Sequence, residues 1–161
     1  EEEGGYSVYL LNDSLKPVTG ELHLFVQGMY EENPQWECTV SFSASANQSC
    51  RIWQGNVPLP ESGAVLVGEI VTDSGKERTV YFPKRIADLG LPSREKEPVQ
   101  LLERTGDHLT VHATAYVQAV GLDGDYRFED NFFTMLPGET RTIRYTPLLR
   151  SASQDIMIRS L

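Results

Sequence analysis

Asp123, Asp125, Glu129 and Asp130 fall within one short stretch, GLDGDYRFEDNFFTMLPGE, and carboxylates this close together suggest two chemistries. Retaining glycoside hydrolysis needs two carboxyls ~5 Å apart across a cleft wide enough for a sugar. Calcium takes about 6–8 oxygen ligands, which a run of acids can begin to supply. Neither pattern is complete. The Asp-Gly-Asp at 123–125 lacks the alternating donors and closing glutamate of a calcium loop, and no array of sugar-stacking aromatics surrounds the acids. The preferred reading is turn formation and solvation. Asp130 and Asn131 bond nearby backbone N–H groups, and Pro137-Gly138 fits a type II turn, Pro presetting φ and Gly supplying the positive one. In this reading Phe128 and either Phe132 or Phe133 plug a core. The sequence requires no catalytic residue, metal or cofactor.

The other reactive types are weaker still. His108 and His112 would converge on a helix, but DHLTVHATA alternates as a strand, which puts them ~13 Å apart on one face. They read as solvent-facing, as does His23. Trp36, Trp53, Tyr30 and Phe25 lie on or beside strands, and strand-borne aromatics can stack on sugar rings. Trp36 and Trp53 are therefore the candidate sugar contacts, weighed against the stronger tendency of such rings to pack inward. Cys38 and Cys50 bracket what reads as a hairpin, with Cys38 and Trp53 opposite each other. That offset argues against a disulfide, which needs Cα atoms within ~7 Å, and for two free buried thiols. Asn12-Asp13-Ser14 and Asn47-Gln48-Ser49 match the glycosylation acceptor pattern at expected turns.

The elements that must position these residues are strands. Alternation recurs at 6–12, 20–28, 36–43, 49–54, 64–72 and 78–82, with turn-forming runs such as KPVTG and DSGKE between them. It stops at PKRIADLGLPSREKEP (83–98), where three prolines and seven charges leave room for one short helical turn at Ile86–Leu89. It resumes at 99–104, 108–115, 116–122, 126–136, 139–146 and 155–161. The expected architecture is all-β, with two tandem immunoglobulin-like β-sandwich domains: residues 1–88, a linker at 89–98, and a smaller sandwich at 99–161 that leans on its neighbour.

The net charge of −9 over 161 residues argues against nucleic acid and anionic membrane as partners, since both are bound through Lys and Arg. No segment approaches the ~20 apolar residues of a membrane span. The opening EEEGGYSVYL has no charged-then-apolar leader and reads as a cut within a longer chain.

RFEDNFFTMLPGETRTI resembles the last immunoglobulin-like domain of β-mannosidases and related exo-acting enzymes of glycoside hydrolase family 2. Phe128, Asp130, Asn131, Phe132, Phe133, Leu136, Pro137, Gly138 and Glu139 carry the likeness. Glu129 stands where the family usually has Ser, and Thr134-Met135 where it has Asp-Leu. VYLLNDSLKPVTGELHLFV (8–26) is similar to the opening of the preceding domain, so the resemblance runs from about Tyr6 to Leu161. It implies that the two catalytic glutamates lie on a (β/α)₈ barrel ahead of this region. A barrel takes ~250 residues, so it is not encoded here. What the resemblance implies is a non-catalytic C-terminal region whose partner is the parent's barrel; the alternatives are a carbohydrate-binding module that takes oligosaccharide through Trp36 and Trp53, or a cell-surface adhesive pair of β-sandwiches.

Overall fold

The computed structural model describes residues 5–60, 63–85, 88–91, 97–148 and 155–160. Among them every regular element is a strand, and the chain divides into two compact units, Glu1–Gln27 with Pro34–Leu89, and Gly28–Asn33 with Gly90–Leu161. Most of the charged connection, and Ile86 and Ala87 of the expected helical turn, lie outside the described residues. The fold is all-β.

The first unit contains β1 (Tyr6–Asn12), β2 (Val18–Gly28), β3 (Trp36–Ala44), β4 (Gln48–Gly55), β5 (Ala64–Thr72) and β6 (Gly75–Tyr81). Their order is β3-β2-β5-β6 in one sheet and β1-β4 in the other. Period-two alternation places Leu22, Leu24, Val26, Phe42, Ala64 and Leu66 in a common core, against which Tyr6, Val8 and Leu10 pack.

One expectation is overturned. β3 and β4 do not form a hairpin: β3 pairs with β2, where Leu24 faces Cys38, and β4 crosses to β1, where Val8 faces Trp53 and Leu10 faces Cys50. Alternation determines which residues face inward but not which neighbour a strand takes, and a three-residue connection serves an arch between sheets as well as a turn within one. Cys38 and Cys50 are free and half-buried, and burial pushes the Cys38 thiol up. Asn12 fastens this end of the sandwich. Its Nδ2 donates to the carbonyls of Lys16 and Ser45, both at 2.9 Å, and its Oδ1 accepts from Ser14. The amide is thus buried and fully engaged, although its acceptor pattern falls where the sequence suggests a turn. Asn47 is exposed, with φ of 52°.

The second unit contains β7 (Val99–Arg104), β8 (His108–Ala113), β9 (Val117–Asp123), β10 (Tyr126–Phe128), β11 (Phe133–Met135), β12 (Thr140–Pro147) and β13 (Met157–Ser160). The sheets are β10-β12-β8-β7 and β11-β9-β13, the four-plus-three division of an immunoglobulin-like sandwich. Leu109, Val111, Val120, Leu122, Phe133, Met135, Ile143 and Tyr145 form its core. Residues 28–33, which join β2 to β3, cluster with this unit. Tyr116 N–H donates to the Met29 carbonyl at 2.8 Å, and the Glu32 side chain lies beside Gly138.

Candidate functional site

The stretch singled out in the sequence runs from β10 through β11 to the start of β12. Phe128 is half-buried on the second core, its ring 6.2 Å from that of Tyr145. Asp130, which follows, is committed to the fold. Asp130 Oδ1 accepts from the backbone N–H of Asn131 at 2.8 Å, and its Oδ2 takes a hydrogen bond and ion pair from Arg141 of β12. That guanidinium also lies over the Phe133 ring, 4.3 Å from its centroid. One arginine therefore joins the loop's carboxylate to the core below it.

Asn131 is the hub. Its Oδ1 accepts from Leu122 N–H at 2.7 Å and from Phe132 N–H at 3.0 Å, and its Nδ2 donates to the Leu122 carbonyl at 2.8 Å. The bend this requires puts Phe132 at φ 59°, a region that residues with a Cβ rarely occupy. That bend sends the two neighbouring phenylalanines to different places. Phe133 is 7% exposed and sits in the core, while Phe132 is 66% exposed, its ring edge lying against Gly121.

The Leu136-Pro137-Gly138-Glu139 turn forms as the sequence predicts. Glu139 N–H closes onto the Leu136 carbonyl at 3.1 Å, with Gly138 at φ 79° as a type II turn requires. Glu139 Oε2 also accepts from Leu136 N–H at 2.9 Å. The turn is then held to β8, Gly138 N–H donating to the Ala113 carbonyl and Ala113 N–H to the Glu139 carbonyl.

Two of the four candidate acids are engaged with arginines of different sheets. Asp123 reaches Arg159 of β13 at 2.9 Å, in one sheet, and Asp130 reaches Arg141 of β12, in the other. Among the described residues no group of three or more His, Cys, Asp or Glu is placed to hold a metal ion. His108 bonds Thr105 and Asp107, and the hydrogen bonds Asp107 takes, from His108 first and then from Thr105, hold its carboxyl below the ordinary value. His112 bonds Thr140, and His23 bonds Glu37. Trp36 and Trp53 meet edge to face, ring centroids 6.2 Å apart at 62°, both half-buried against the first core. Phe25 is buried and Tyr30 exposed.

Sequence reasoning missed two clusters. In one, Arg104 donates to the hydroxyls of Tyr126 and Tyr145, and Tyr145 donates to the Thr105 carbonyl. The other is Glu69, buried at 6% exposure, paired with Lys76 at 2.7 Å and Arg78 at 2.7 Å. Burial alone would raise its carboxyl, but the hydrogen bonds and charges of Lys76 and Arg78 outweigh this and hold it below the ordinary value. The signal was present: a glutamate inside AVLVGEIVT, with the short connection at Asp73-Ser74 setting Arg78 opposite it.

Three comparisons bear on this geometry. Residues 89–161 match the family model Ig_mannosidase, described as an Ig-fold domain. A β-D-mannosidase from Dictyoglomus thermophilum superposes with a TM-score of 0.72 at 16% identity, over 99% of this chain and 20% of that one. The exo-chitosanase CsxA from Amycolatopsis orientalis superposes with a TM-score of 0.57 at 15% identity, over 96% of this chain and 24% of that one. At these identities the likeness is one of fold. Curated protein sequences give no match. The chain spans only a fifth to a quarter of either solved structure. Over residues 89–161 it matches the immunoglobulin-fold domain of the mannosidase family model, as its Asp-Asn-Phe-Phe and Leu-Pro-Gly-Glu elements suggested.

Proposed function

We propose that this chain is a non-catalytic accessory region of a β-mannosidase-like glycoside hydrolase, bracing a catalytic barrel supplied by the rest of the parent polypeptide. One observation carries the reading: three acids of the most enzyme-like stretch, Asp123, Asp130 and Glu139, are engaged within the fold. Asp130 holds Asn131 and Arg141, Glu139 closes its own turn, and Asp123 pairs across to β13. A retaining mechanism needs two carboxyls facing one cleft, whereas Asp123 and Asp130 pair with arginines of different sheets. The family match over residues 89–161 and the fold shared with a β-mannosidase and an exo-chitosanase support the parent's class.

Deletion tests the bracing role. A parent polypeptide containing the barrel is compared with and without residues 6–160. Without them its melting temperature falls, while kcat/KM per folded molecule stays at the parent's value when assayed well below the melt. Unchanged melting would remove the bracing role, and loss of kcat at full foldedness would give the region a part in the chemistry.

A further inference from the structure

The connection from β2 to β3 is longer than the pairing of those strands requires. Val26 faces Trp36, and Gln35 N–H donates to the Val26 carbonyl at 2.9 Å, so the ladder is already closed at that point. A hairpin turns in about two to five residues, whereas this connection runs from Gly28 to Trp36. It is exposed at Glu31, Glu32 and Asn33, as a surface loop should be. Met29 is the exception, with 1% of its surface exposed.

Gly28–Asn33 belongs to the second unit, although the strands on either side of it belong to the first. Between β8 and β9, Tyr116, itself 1% exposed, donates its N–H to the Met29 carbonyl at 2.8 Å. At the turn before β12, Glu32 lies so close to Gly138 that a Cβ there would meet Glu32 Cγ at 3.0 Å. That turn is bonded in its own right to the end of β8, Gly138 N–H donating to the Ala113 carbonyl at 2.8 Å. A backbone bond, a buried side chain and a close approach thus hold one short segment to the second unit. The family model starts at residue 89 and leaves that segment out.

We propose that Gly28–Asn33 is a tie that makes the two units unfold as one. β2 is held between β3 and β5, so one end of the tie leaves from the interior of a sheet. Opening of the second unit exposes Met29 and takes the acceptor from the Tyr116 N–H, and both losses cost free energy. Opening of β2 and β3 releases the ends of the tie and forfeits the same interactions. Each event therefore favours the other, and the two opening equilibria merge into one. Domains joined only by an exposed linker share no such segment and open separately. The tie holds whatever the activity of the parent polypeptide.

The test uses the full chain and two reporters. Both tryptophans, Trp36 and Trp53, pack on the first core, so their fluorescence in urea reports the first unit. Hydrogen exchange in β8 and β9 reports the second. Ile143→Val trims a second-core residue that is 2% exposed, and it should lower the fluorescence midpoint by about 0.5 M. Met29→Ala should speed exchange in β8 and β9 about tenfold or more, while Met29→Leu should leave it near the parent's rate. In a Met29→Ala background the fluorescence shift caused by Ile143→Val should shrink. A fluorescence midpoint that ignores Ile143→Val would overturn the proposal, as would unchanged exchange in Met29→Ala or an equal shift in the double variant. If Met29→Ala does not fold, the response of the otherwise unaltered chain to Ile143→Val decides alone.

Discussion

Asn131 acts as one more residue of β11: its carboxamide accepts from and donates to Leu122 of β9 at 2.7 and 2.8 Å, as a paired strand residue would. β11 itself begins only at Phe133, so without this side chain the end of β9 would lose its ladder on that side. Asn131→Ala leaves both backbone groups of the buried Leu122 unpaired. The expected cost is about 2–6 kcal/mol, at roughly 1–3 per group. Denaturant unfolding of the full chain checks it, and a cost below about 0.5 kcal/mol would mean water replaces the amide.

The two adjacent phenylalanines should behave oppositely. Phe133→Ala removes a core ring and the surface under Arg141, costing about 3–5 kcal/mol, enough to unfold a small sandwich. Phe132→Ala should cost about 1 kcal/mol or less, because the ring is largely exposed. Phe132→Gly should be more stable than Phe132→Ala by about 1 kcal/mol, since only glycine adopts this φ without penalty. Thermal melts of the three variants decide the order.

That contrast marks how far the sequence could be read. The strands, the Pro137-Gly138 turn and the structural role of Asp130 and Asn131 follow from local pattern and side-chain chemistry. The choice between Phe132 and Phe133 does not, because a positive φ breaks the alternation that would have assigned them. Asn131's bonds to Leu122 cross nine residues and depend on sheet order. The β3–β4 arch and the grouping of residues 28–33 with the second unit are likewise long-range outcomes. In these long-range cases local pattern fixes the face a residue presents and leaves its neighbour open.

Asp130→Ala should cost about 1–2 kcal/mol, chiefly the bond to Asn131 N–H. The pair with Arg141 adds little, because both side chains are about two-fifths exposed and water screens them. Salt separates the two parts: a cost that survives high ionic strength belongs to the backbone bond.

Glu69 gives the first unit a pH dependence. Its folded carboxyl is held below the unfolded value of ~4.3, so its contribution is present above that pH and is lost as pH falls through the folded value. Glu69→Gln should cost about 1–3 kcal/mol at neutral pH, for the charge-assisted bonds to Lys76 and Arg78. Melting curves of parent and variant should converge below about pH 4. A constant gap down to acid pH would mean that Glu69 is held by packing alone.

The central claim is that Asp123, Asp130 and Glu139 serve the fold and that the chain's acids at 123–139 perform no chemistry. The direct measurement is turnover of an aryl β-mannoside by the purified chain, from acid to neutral pH, beside Glu129→Gln and Asp130→Ala. The account predicts no turnover above buffer for all three proteins, with Asp130→Ala altered only in stability. Saturable hydrolysis by the parent chain, abolished in either variant while the variant stays folded, would contradict it.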